Sequence, residues 1–229
     1  DEVKRTMKDW EKRHLNSQPL MLRLFTNADY VAKNVDAEQL SNDLFGLAGI
    51  VQNSEIRHSL TLYDLFTPDE RYLLWQRSNV WWYLHFAGAP QNGGRQPFSQ
   101  RNLLRNIISE ADSCLALSRP GATLRFGHET MVMPLACLLN LNGSYVQVAQ
   151  VDSLEAHGWI ASRIFPMAAN IQLVFYKNPK NPKADLLVKA LLNEEEATMP
   201  LPATSTPYYY RWSDFRKFYL DLLNSYREL

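Results

Sequence analysis

The residues predict an α/β chain, with helices filling the first half and strands confined to the second. Three observations carry that reading. Apolar residues recur at helical spacing between Asp36 and Leu115. A β-favouring run, Thr123-Leu124-Arg125-Phe126-Gly127, leads straight into a buried apolar segment, the step from strand to helix of an α/β sheet. Two further apolar runs, Ile171 to Tyr176 and Asp185 to Leu192, flank Lys177-Asn178-Pro179-Lys180-Asn181-Pro182-Lys183, a turn composition that pairs them as an antiparallel hairpin.

Taken in order, Asp36 with Gln39 reads as a capping box, and Leu40, Leu44, Leu47 and Val51 then form one apolar stripe. Thr67-Pro68-Asp69-Glu70 opens a second helix: a hydroxyl to cap, proline where the first amide has no partner, and acid beside the positive end of the dipole. That helix carries Leu73, Leu74, Val80 and Trp81. Ser99 is read as the cap of a third, with Leu103, Leu104, Ile107, Ile108, Ala111 and Leu115 on one face, ending before Pro120-Gly121. Thr130 to Leu139 reads as a buried helix. Ser213 is read as the cap of a last one, along which Phe215, Phe218, Tyr219, Leu222 and Tyr226 recur.

Composition excludes several classes of function. At 229 residues the chain is long enough for a hydrophobic core without metal or disulfide staples. Its 24 basic residues balance its 24 acidic ones, so no broad positive field draws it to nucleic acid or anionic lipid. The longest apolar stretch, Met131 to Leu139, is broken by Pro134 and is far short of the roughly 20 residues that span a bilayer. Cys114 and Cys137 are too few for a disulfide scaffold or a four-cysteine zinc site. They read as two buried free thiols, with a bridge between them as the other option. The opening Asp1-Glu2-Val3-Lys4-Arg5 has no basic-then-apolar pattern, so any targeting peptide is expected to have been removed or never to have belonged to this polypeptide.

Two places stand out as candidate chemistry. Gly88-Ala89-Pro90-Gln91-Asn92-Gly93-Gly94-Arg95-Gln96-Pro97 is the longest loop signal, and its Arg95 either touches a ligand or is a solvated loop charge. Among the five histidines, His14, His58, His85 and His157 sit in ordinary contexts, and no pair has the i, i+4 spacing of a helical metal site. His128 differs, since it follows a strand-like run and a glycine and opens a helix. Ligands bind at the carboxyl ends of strands in open α/β sheets, and a helix start offers unpaired amides that suit phosphate. With Glu129 beside it, His128 would supply a donor to the anion and the acid a proton to a leaving group. The alternative from the same residues is a satisfied histidine followed by an ordinary acid at a helix start.

Gly127-His128-Glu129-Thr130-Met131-Val132-Met133-Pro134-Leu135 resembles the C-terminal active-site motif of the histidine acid phosphatases. It is most similar to the multiple inositol polyphosphate phosphatase branch, whose motif runs phenylalanine, glycine, histidine, alanine, glutamate, threonine, two apolar residues, proline, leucine. Ser162 to Asn170, the strand to Tyr176, the segment Val188 to Pro200 with Leu191-Leu192-Asn193-Glu194, and the final aromatic helix resemble that branch in the same order; weaker likeness reaches back to about Leu20.

The resemblance implies a phosphoglycerate-mutase-like (histidine phosphatase) three-layer α/β sheet, this chain being its C-terminal part, with residues 1–118 as an inserted helical cap domain and 119–229 in the catalytic domain. It implies hydrolysis of inositol polyphosphates such as phytate through a phosphohistidine, without metal or cofactor. His128 and Glu129 would be catalytic and Thr130 would bind substrate; Arg95, from the loop composition, is a further substrate-binding candidate. Two departures qualify it. The family's acid lies two residues after the histidine, where this chain has Thr130, while Glu129 at the adjacent position matches the other branch, in which aspartate directly follows. The family's nucleophilic arginine-histidine-glycine-x-arginine-x-proline motif has no counterpart here, and Arg57-His58-Ser59-Leu60 does not replace it. The chain is therefore expected to supply half of a site, to need the N-terminal half as partner, to be inactive alone, and to self-associate through exposed apolar surface. By the same resemblance, activity should favour acidic pH and the location should be periplasmic or secreted. The rival reading is a catalytically incomplete inositol-phosphate-binding or interaction module.

Overall fold

A computed structural model describes residues 1–181 and 183–227, and within it the chain forms two compact units, Asp1–Trp81 and Trp82–Leu229. In the first, Asp1 caps α1 (Glu2–His14) by accepting from the Val3 amide at 3.1 Å, and three basic residues close its last turn. Helices α2 (Gln18–Leu24), α3 (Ala28–Asn34) and α4 (Ala37–Val51) follow. Asp36 accepts from the Gln39 amide at 3.0 Å as expected, but the Gln39 side chain turns to Asp43 instead of closing the box. Leu40 and Leu44 reach the unit's core of Leu20, Met21, Val31, Phe66 and Leu74, whereas Leu47, of the same stripe, is exposed. At the start of α5 (Pro68–Phe86) the box closes both ways. Thr67 Oγ1 accepts from the Glu70 amide at 3.2 Å, and the Glu70 carboxylate accepts from the Thr67 amide at 2.8 Å. Glu70 also holds the Arg23 guanidinium, which donates in addition to the Leu65 carbonyl, so the helix start is tied to α2.

In the second unit the end of α5 buries Tyr83 and Leu84, and the glycine-rich loop coils into two 3-10 turns, Pro90–Asn92 and Gln96–Gln100. The second turn runs directly into α6 (Arg101–Leu115), so Ser99 lies inside it and does not cap the helix. Leu104 and Ile108 of the expected stripe are fully buried. Helix α7 (Glu129–Leu138) buries every residue from Met133 to Leu138 and packs against the turn Gln96–Gln100. A single-turn helix, α8 (Ala161–Ile164), precedes the strands.

The hairpin forms where the turn composition places it. Strand β1 (Ile171–Tyr176) lies antiparallel to β2 (Leu187–Leu192), with Ile171 opposite Leu192 and Tyr176 opposite Leu187. Pro182 of its turn lies outside the described residues. On the other side of β2, β3 (Glu195–Ala197) pairs with its end and β4 (Tyr210–Arg211) with its start, so every described ladder is antiparallel. Asn193 and Glu194, both at positive φ, form the two-residue turn between β2 and β3. Val188, Ala190 and Leu192 form the buried side of β2, which packs with α9 (Trp212–Ser225), whose Trp212, Phe215 and Tyr219 are buried. Ser213 again is not the cap; its hydroxyl is turned to Asp185. Asp112 of α6 accepts from Trp212 Nε1 at 2.9 Å and Arg216 Nε at 2.8 Å, joining α6 to α9.

One expected element is absent as a strand. Thr123–Gly127 has no regular structure and is exposed throughout. A strand exists only in a ladder, and none of the described strands pairs with this run. Arg125 instead anchors it to α6 through Asn106 and Glu110, while Leu124 and Phe126, 74% and 94% exposed, are left uncovered.

Candidate functional site at the start of α7

His128 is the N-cap of α7, with extended backbone (φ −109°, ψ 165°). Its carbonyl accepts from the Met131 and Val132 amides at 2.9 and 3.2 Å, which begins the helix. Its imidazole makes no capping bond, so the ring is not used to close the helix end. His128 and Glu129 are exposed, and Thr130 is half-buried. The first amides of a helix have no partner within it, and the dipole there favours negative charge. Pro134 adds a second irregularity: lacking an N–H, it leaves the Thr130 carbonyl without its helical donor. Gly127 meets no steric demand from this chain, since a Cβ there would approach only the Met131 side chain, at 3.7 Å. An exposed imidazole, a carboxyl group one residue on, and free amides can together receive an anion and move a proton.

Arg95 sits at the head of the 3-10 turn that packs on α7. It is half-buried, its Cδ lies over Gly93, and among the described residues no ion pair or hydrogen bond links its side chain to His128, Glu129 or Thr130. The structure thus brings His128, Glu129 and Thr130 together at one helix start and places Arg95 on the neighbouring element. The remaining histidines keep ordinary surroundings: His14 stacks on Trp10, His58 is exposed in a 3-10 turn, His157 bonds the Ser153 carbonyl, and His85 is half-buried in α5. Among the described residues no three His, Cys, Asp or Glu side chains gather as a metal set.

Cys137, on the buried side of α7, is a free thiol pushed up to about 12 by burial, and it rests against the Ser144 carbonyl at 3.4 Å. It is an inert packing residue and no nucleophile. Cys114 is also free but exposed, unlike the buried thiol expected for it. Sequence reading missed Tyr145, whose hydroxyl donates to the Gly94 carbonyl at 2.7 Å. No local signal marks a contact across fifty residues.

Fold and site together define a mixed helix-and-sheet chain that presents a histidine and an acid at an open helix start. Such a chain is similar in fold to crystal structures of the multiple inositol polyphosphate phosphatase of Bifidobacterium longum. The complex with inositol hexasulfate aligns at a TM-score of 0.63 and 22% identity over 76% of this chain, and the complex with phosphate at 0.63 and 20% over 78%. The apo form aligns at 0.64 and 18% over 94%. The chain spans 37%, 39% and 52% of those three chains, about half of their length or less. No family model and no curated protein matches it.

Proposed function

We propose that this chain is part of a histidine phosphatase that removes phosphate from inositol polyphosphates such as phytate, and that it contributes the proton-donor half of the site. The observation that carries the reading is His128 at the N-cap of α7, exposed and released from capping, with Glu129 directly after it. The fold likeness supports it. In this reading residues 119–229 belong to a three-layer catalytic domain, and residues 1–118 to a helical domain inserted in it. The nucleophilic histidine comes from a segment outside these 229 residues, the N-terminal half with the arginine-histidine-glycine motif, and the complete enzyme is secreted or periplasmic.

The chemistry follows from the groups present. The nucleophilic imidazole attacks phosphorus and the ester P–O bond breaks. The Glu129 carboxylic acid gives its proton to the departing inositol oxygen, and His128, with the amides at the start of α7, holds phosphoryl oxygens as charge builds. Water then attacks the phosphohistidine, and the Glu129 carboxylate takes the proton. Thr130 and Arg95 contact other phosphates of the substrate.

The test is phosphate release from phytate. The chain alone should release none, and the chain joined to an N-terminal half bearing the motif should release it steadily. In that assembly Glu129→Gln should lower kcat by about 10²- to 10⁴-fold, the usual worth of general acid catalysis. Steady release by the chain alone would overturn the half-site. Release at the normal rate by the Glu129→Gln assembly would remove that residue from the acid role. The second reading is an inositol-phosphate-binding module without catalysis, against which the retention of both His128 and Glu129 counts. It is established if phytate binds tightly yet no N-terminal segment restores turnover.

A further inference from the structure

We propose that Tyr145 is a positioning residue for Arg95, fixing the direction in which that guanidinium meets the substrate phosphates; the inference rests on the phosphatase reading above. The peptide unit between Gly94 and Arg95 is held at both ends. Its carbonyl accepts from the Tyr145 hydroxyl at 2.7 Å, and its N–H donates to Asn92 Oδ1 at 3.2 Å. Asn92 is itself clamped, since its Nδ2 donates to the carbonyls of Leu84 and Ala87, both at 2.9 Å. With the peptide plane fixed at both ends, Arg95 leaves the backbone in one direction.

Tyr145 is well placed to do this because it follows α7. Its amide donates to Asn140 Oδ1 at 2.9 Å, just past the end of that helix. A second strap runs the same way, from Gln91 Nε2 to the Ala149 carbonyl at 2.7 Å. The loop is shaped around the ring. A Cβ at Gly88 would lie 2.8 Å from Tyr145 Cε2, and one at Gly94 would lie 2.7 Å from its hydroxyl, so both positions admit the tyrosine only as glycine. The loop that carries Arg95 is therefore fastened to the segment leaving the helix that His128 opens. What it presents there is a half-buried arginine without an ion-pair partner among the described residues. A cation whose backbone is held in place, and which has no ion-pair partner among the described residues, suits an anionic ligand.

The experiment is a double-mutant cycle read by calorimetric titration of phytate into the 229-residue chain, with Arg95→Gln, Tyr145→Phe and the double variant. Phenylalanine keeps the ring against Gly88 and removes only the hydroxyl, and circular dichroism verifies each fold. Loss of a charge-assisted contact should weaken phytate binding about tenfold in Arg95→Gln. Tyr145→Phe should weaken it severalfold, and the double variant should bind no worse than Arg95→Gln alone. Amide exchange at Gly94, Arg95 and Gln96 should also quicken in Tyr145→Phe without ligand. Additive losses would mean that Tyr145 acts on the fold and not through Arg95, and would overturn the proposal. So would unchanged affinity in Arg95→Gln, a result that leaves the roles of His128 and Glu129 standing. If the unaltered chain binds no phytate at all, the positioning role fails, while the phosphatase reading still stands or falls on turnover by the joined assembly.

Discussion

A methyl group at residue 94 would have to occupy space 2.7 Å from the Tyr145 hydroxyl and 2.9 Å from Gln147 Nε2, on a backbone at φ +69°. Crowding and left-handed strain act together there, so Gly94→Ala should lower unfolding stability by about 1–3 kcal/mol in a denaturant titration. Gly121, with open space around it and ordinary φ, is the internal control: Gly121→Ala should move stability by less than about 0.5 kcal/mol. Equal effects at the two glycines would mean that the Tyr145 contact does not shape the loop. At the same scale, the adjacency of His128, Glu129 and Thr130 is legible in the sequence, because consecutive residues at a helix start share a location by construction. The status of Arg95 is not. Whether a loop arginine is fixed depends on Asn92 nearby and on Tyr145, fifty residues away, and no spacing rule reaches that far.

Among the elements, the start of α5 combines two stabilising devices in one carboxylate. Burial alone would raise the Glu70 carboxyl, but the Arg23 guanidinium and the Thr67 groups more than offset it and hold it below the ordinary range. Its folded pKa thus lies below its unfolded one. The stabilisation is complete above the usual 4.5 and is lost as pH falls through the folded value. Glu70→Gln should cost about 1 kcal/mol at neutral pH through the weakened cap and the lost ion pair, and should flatten the acid limb of the stability curve. An acid limb identical to that of the unaltered chain would sink this account.

Helices with local signals are readable for the same reason this one is. The caps at Asp36 and Thr67, and the hairpin around the Pro/Asn/Lys turn, are written in residues that touch each other. Ser99 and Ser213 show the limit: a hydroxyl in the right composition is no cap when a 3-10 turn runs through it or an aspartate captures it. The run Thr123–Gly127 shows another. Alternation states that a segment can join a sheet, and the ladder requires a neighbour that alternation cannot supply. Strands β3 and β4, at three and two residues, are defined only by their pairing with β2.

For the molecule as a whole, Leu124 and Phe126 are the point of exposure that matters most. Large uncovered side chains on an irregular run that no described strand pairs with invite association with like surfaces. The chain should therefore elute above its 26.5 kDa monomer mass in size-exclusion chromatography with light scattering, and Phe126→Lys should move it toward that mass. A monodisperse monomer from the unaltered chain would remove this expectation. The compact units divide within α5, at Trp81 and Trp82, whereas the family architecture implied by resemblance divides at residue 118. The two divisions answer different questions, since α6 lies before residue 118 and is bonded to α9, after it, through Asp112 and Arg105.

The arrangement around β2 sets an order of assembly during synthesis. Strand β1 can pair with β2 as soon as both have left the ribosome, because only a short turn separates them. The other edge of β2 has to wait. Its β3 partner follows at once across the two-residue turn, but β4 and α9 are made some twenty residues later, and until then β2 lacks the helix that packs on it. A ribosome stalled before Trp212 would carry a hairpin without that helix, with more apolar surface open to chaperones than in the finished fold.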